Sequence, residues 1–93
     1  RSLDRVGRNG GEEFLVLLPD TGLEEAAEVA ERVRIAVSRL VIEGVPEDHP
    51  IHVSIGCAEY RAEDDNLGEL IRRADEAMYA AKLAGRNRVV KAA

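Results

Sequence analysis

The chain has 93 residues, enough for one small domain with a modest core, and only 3% of them are aromatic, so that core must be built from Ala, Val, Leu and Ile. A formal charge of −5 excludes a general nucleic-acid or anionic-membrane binder, since phosphate-dominated binding needs a basic face; it leaves room for a nucleotide held by a few cations and a metal. The single cysteine, Cys57, has no internal disulfide partner, and no apolar run approaches the roughly eighteen residues of a membrane span, so a cytoplasmic setting without membrane contact is expected.

The chain opens at Arg1 without an initiating Met, as if an upstream portion had been removed. A first strand is expected around Leu3–Gly7. It should form a hairpin with Phe14–Leu18, because Asn9-Gly10-Gly11 supplies residues that accept the positive φ of a tight turn. Phe14–Leu18 is a continuous apolar run closed by Pro19, the pattern of a strand buried on both faces. In Leu23–Leu40 the residues Leu23, Ala26, Ala27, Ala30, Val33, Val37 and Leu40 recur at steps of three and four and predict a helix, with Thr21 and Glu24 as a capping box. Val45–Pro50, with two prolines and several charges, reads as a loop. Ile51–Cys57 alternates as a strand, with His52 and Ser54 on the polar side. A second helix is predicted over Leu67–Leu83, capped by Asp65 or Asn66 and ended by a left-handed Gly85; Val89–Val90 closes the order as a short strand. The expected class is α+β, with helices packed on an antiparallel-rich sheet.

The segment that carries chemistry is Gly10-Gly11-Glu12-Glu13-Phe14. Paired glycines let backbone approach a bulky ligand, and adjacent carboxylates at a hairpin tip offer oxygens to a hard cation. Taken alone, a Gly-Gly turn followed by exposed acids is more often only a hairpin. The surroundings alter that balance. Arg1-Ser2-Leu3-Asp4 precedes the turn; Val53-Ser54-Ile55-Gly56, Arg73–Lys82 and Gly85-Arg86-Asn87 follow it. Together these blocks resemble the GGDEF family of diguanylate cyclase domains in its Glu variant, with an RxxD inhibitory site, spread over almost the whole chain.

The resemblance implies a nucleotide-cyclase, ferredoxin-like palm, of which residues 1–93 are the C-terminal part with the N-terminal portion missing. It implies condensation of two GTP molecules into cyclic di-GMP with release of two pyrophosphates. Glu12 would be catalytic and, with Glu13, bind Mg2+ or Mn2+. Gly10 and Gly11 would pack against GTP, and Lys82 and Arg86 would hold its terminal phosphates. Residues four apart share a helix face, which suits the last pair; without the other blocks both would read as a solvated helix end. Arg1, Asp4 and Arg32 would form a regulatory cyclic di-GMP site, where guanidinium forks suit phosphates and guanine edges. The first two alone would read as a surface ion pair.

Because each domain of the family brings one GTP, a homodimer is implied. In the resembled fold a further strand lies between Phe14–Leu18 and Ile51–Cys57. Without it two sheet edges are open, so the chain is expected to fold with another copy by swapping or strand pairing, and to be inactive alone. The competing reading is a catalytically idle module that senses cyclic di-GMP. His49 and His52 have no metal-ligand spacing and read as surface residues, Cys57 as a small strand hydrophobe, and Tyr79 as packing.

Overall fold

A computed structural model of the chain describes residues 5–8, 13–49 and 51–93. The element order is β1 (Arg5–Arg8), β2 (Phe14–Leu17), α1 (Leu23–Ser38), β3 (Ser54–Cys57), α2 (Leu67–Leu83) and β4 (Arg88–Lys91). The α+β class with helices on a sheet is therefore as expected, and each element lies within a few residues of its predicted place. The turn residues of the first hairpin, Asn9-Gly10-Gly11, lie outside the described residues.

The strands fall into two pairs. β1 and β2 are antiparallel, in register from Arg5↔Leu17 to Arg8↔Phe14. β3 and β4 are parallel, from Ser54↔Arg88 to Cys57↔Lys91. The expectation of an antiparallel-rich sheet is thus corrected. The reason is the connection: α2 carries the chain from the end of β3 back to the start of β4, and a helical crossover brings neighbouring strands in parallel. Nor is β2 buried on both faces, since Phe14 is 69% exposed and Val16 49%. Among the described elements neither helix nor the second pair packs on the hairpin, so its apolar run lacks the cover its composition suggests.

The first helix starts differently from its sequence signature. Its N-cap is Gly22, which makes no side-chain cap, and Thr21 and Glu24 do not form the capping box. Instead the Thr21 hydroxyl donates to the Pro19 carbonyl at 2.9 Å, and Glu24 meets the Lys91 ammonium at 2.9 Å. The free backbone N–H of Leu23 donates to the Glu59 carboxylate at 2.6 Å, a negative group placed where the helix dipole favours it. The second helix follows its sequence. The Asn66 side chain accepts from the Glu69 N–H at 3.1 Å, and Leu67–Leu83 are its bounds.

Both helices pack on β3 and β4. Among the described residues the buried hydrophobic ones are Ala30, Cys57, Ala77 and Ala81, all small, so the layers approach closely. Gly56 marks the closest point. A β-carbon there would lie 2.1 Å from the Ala74 carbonyl oxygen and 2.3 Å from the Met78 nitrogen, both of them helix backbone that cannot turn aside. Cys57, on the other face by the alternation of a strand, is buried, and burial pushes its thiol up from the usual range.

One ion pair ties the loop between β3 and α2 to the helix. Asp64, 8% exposed, accepts from Arg73 at 2.6 and 3.2 Å and from the Arg61 N–H at 2.8 Å. The same guanidinium donates to the Glu59 carbonyl at 2.6 Å, so Arg73 also steadies the residue that caps α1. The Arg73 hydrogen bond, followed by that of the Arg61 N–H, holds the Asp64 carboxyl below its ordinary value of 3.8. Its stabilising contribution is therefore complete above that value and is lost as pH falls through the lowered folded-state value.

Two stability predictions follow from these contacts. Gly56→Ala is expected to cost about 3 kcal/mol in urea unfolding, at the upper end for overpacking, because the obstruction is backbone. Asp64→Asn is expected to lower the melting temperature by several degrees at pH 7. The wild-type chain should then lose more of its melting temperature between pH 4 and pH 2 than the variant; equal losses would show that Asp64 does not supply the acid-sensitive term.

Candidate active site at the end of the second helix

The end of α2 is built by a specific backbone arrangement. The Gly85 N–H donates to the Lys82 carbonyl at 3.4 Å and the Arg86 N–H to the Ala81 carbonyl at 2.9 Å, the paired bonds of a Schellman motif. Gly85 has φ of 123°, as its sequence position predicts. The left-handed conformation then continues for two residues that carry side chains, Arg86 at 63° and Asn87 at 47°. Such backbone is costly for residues other than glycine and persists only where neighbours hold it.

Two arginines do so. The Arg88 side chain donates to the Arg86 carbonyl at 3.0 Å. From α1, the Arg34 Nη1 donates to the Asn87 Oδ1 at 3.0 Å. The remainder of the Arg34 fork grips Glu31: Nε lies 3.0 Å from both carboxylate oxygens, and Nη2 also bonds Oε1. That grip holds the Glu31 carboxyl below, and the Arg34 guanidinium above, their ordinary values.

On the exposed side of α2, Asp75, Glu76, Met78, Tyr79 and Lys82 line an open hollow of about 310 Å³ together with Glu13, which reaches it from the end of the hairpin turn. The helical spacing of Asp75, Tyr79 and Lys82 explains their common face. Lys82 stands in the last turn, where the helix dipole favours a cation. The hollow thus joins three carboxylates and one ammonium, with Met78 and Tyr79 supplying apolar surface between them.

Of the residues singled out in the sequence, Glu13 and Lys82 meet in this hollow. Arg86 is exposed one turn further on and does not line it. Arg32 is exposed on α1 and is likewise not among the lining residues. Arg1, Asp4, Gly10, Gly11 and Glu12 lie outside the described residues. Tyr79, read as packing, is instead 61% exposed and part of the hollow. His49 and His52 are at the surface, with His49 beside Asp48 at 3.0 Å. Sequence reasoning missed Asp75, Glu76 and Arg34. Only the helical spacing to Lys82 could have flagged the first two; nothing local points from Arg34 to Asn87.

A hard divalent cation requires several oxygen ligands. Among the described residues no group of three or more His, Cys, Asp or Glu could hold a metal ion, so these residues alone do not form a metal centre. Of the implied pair, Glu13 lines the hollow and Glu12 lies outside the described residues. Among the described residues, no helix is long and apolar enough to cross a membrane.

The family model "Diguanylate cyclase, GGDEF domain" matches residues 1–88. The diguanylate cyclase DgcM of Escherichia coli K12 is 45% identical over 92 residues, covering 99% of this chain and 22% of that protein. The response regulator PleD of Caulobacter vibrioides is 42% identical, covering 97% and 20%. Among solved structures, the active GGEEF domain of a diguanylate cyclase from Vibrio cholerae superposes with a TM-score of 0.88 at 31% identity, over 97% of this chain and 56% of the other. The GGDEF domain of DgcB from Caulobacter crescentus, in complex with c-di-GMP, gives 0.85 at 33% identity, over 98% and 54%. The chain therefore spans about a fifth of these curated relatives and about half of these solved domains. With sequence and backbone agreeing over nearly its whole length, the chain belongs to the GGDEF family of diguanylate cyclase domains.

Proposed function

We propose that this chain supplies one half of a diguanylate cyclase active site, which joins two GTP molecules into cyclic di-GMP and releases two pyrophosphates. The observation that carries the reading is the meeting of Glu13 and Lys82 in one hollow, with Arg86 one turn beyond. The Glu13 carboxylate and a cationic helix end then flank the space proposed for a metal-bound polyphosphate. Lys82 and Arg86 hold the terminal phosphates, and Gly10 and Gly11 admit the nucleotide against the turn. Glu12 and Glu13 hold Mg2+ or Mn2+, which when bound neutralises charge on the phosphate oxygens.

Two GTP molecules must face each other for the condensation, so two copies act together as a homodimer. Activity also needs more chain than these 93 residues. The support is twofold: solved relatives of the same fold are nearly twice as long, and β2 and β3 lie in separate two-stranded sheets with no strand between them among the described residues. Completion by a further segment or by another copy would close those edges. Arg1, Asp4 and Arg32 form a product-inhibition site for cyclic di-GMP, a reading supported by the DgcB domain solved with that ligand. A cyclic di-GMP sensor without turnover rests on the same three residues and differs only in lacking synthesis.

The test is made in the full-length protein with GTP and Mg2+. Glu12→Gln is expected to abolish cyclic di-GMP synthesis; retained turnover refutes the cyclase reading, and product binding without any wild-type turnover favours the sensor. Lys82→Ala and Arg86→Ala are each expected to raise KM for GTP by about 10- to 100-fold, the range for losing a charge-assisted hydrogen bond. Arg1→Ala is expected to leave synthesis intact while relieving inhibition by added cyclic di-GMP; unchanged inhibition removes the regulatory role.

A further inference from the structure

We propose that Arg34, on α1, is a positioning residue for nucleotide binding, acting through Asn87 to hold the left-handed turn that presents Arg86. The inference rests on the phosphate-binding role of Arg86 given above. Arg86 has φ of 63°, in the region where its side chain is disfavoured, and Asn87, a residue that tolerates that region better, has 47°. Relaxation of either residue to negative φ would redirect the chain at this turn, and with it the Arg86 side chain. The turn therefore needs an external brace.

Arg34 is built as that brace. An i, i+3 ion pair with Glu31 would by itself be worth little at a surface. Here Glu31 occupies Nε and Nη2, which fixes the plane of the guanidinium, and Nη1 is left directed at the Asn87 side-chain Oδ1, 53 residues away in sequence. The Arg34 side chain is 20% exposed, so the bond is partly shielded from competing water. A rigid fork serves both partners at once, whereas an ammonium is a single point charge on a flexible stem. The long-range bond also couples the two helices: α1 sets the turn, and the turn sets the cation.

A double-mutant cycle in the full-length protein, with GTP–Mg2+ affinity measured by calorimetry, tests this. Arg34→Ala is expected to weaken binding about five-fold, the worth of roughly one hydrogen bond, and to have no further effect in an Arg86→Ala background. Arg34→Lys is expected not to restore affinity. Should Arg34→Ala fail to fold, Asn87→Gly removes the acceptor while leaving positive φ accessible, and it is expected to show the same loss and the same non-additivity. Losses that add to that of Arg86→Ala, or wild-type affinity in Asn87→Gly, overturn the positioning role while leaving the cyclase reading intact. An Arg86→Ala variant with unchanged affinity overturns both the positioning role and the phosphate assignment on which it rests.

Discussion

The absence of a side chain at Gly56 is the constraint on which the rest of the arrangement depends. With backbone atoms of Ala74 and Met78 where a β-carbon would sit, α2 lies against β3 more closely than a side chain at position 56 would allow. Dispersion attraction is strongest at such contact, and the small buried residues Ala77 and Ala81 continue the seam along the helix. Once α2 is seated there, its direction fixes where Lys82 ends and where the turn at Gly85 begins. The position of the helix end is thus set about one to two turns before it.

Polar connections then tie the remaining pieces to that seam. Arg73 holds Asp64 and the Glu59 carbonyl, Glu59 in turn caps α1 at Leu23, and Lys91 at the end of β4 meets Glu24 on the first turn of α1. Most of these are charged groups bonded to backbone or to each other near the surface, so they orient the layers more than they stabilise them. The hairpin of β1 and β2 stands outside this network, and among the described residues it approaches α2 through Glu13 at the hollow.

The helices were legible because their apolar residues repeat at three and four and because Asn66 and Gly85 are local signals; the bounds of α2 agree to the residue. The parallel pairing of β3 and β4 was written in the strand–helix–strand order, but a short final strand drew no inference about direction. The Thr21–Glu24 capping box failed because both side chains found other partners, Pro19 nearby and Lys91 at the far end of the chain. The apolar run of β2 states only that cover would be favourable, not that anything provides it. For the site, the motif blocks pointed to Lys82, Arg86 and Glu13, while the link from Arg34 to Asn87 became visible only once the fold brought α1 against the turn.

The buried thiol at Cys57 has a consequence of a different kind. It is the sole cysteine of the sequence, it sits on β3 with 7% exposure, and burial keeps it in the protonated, unreactive form. A thiol reagent can therefore reach it when the packing on its own face of β3 opens. Its labelling rate is a native clock for that opening, and it reads the face opposite the Gly56 seam without any probe being introduced.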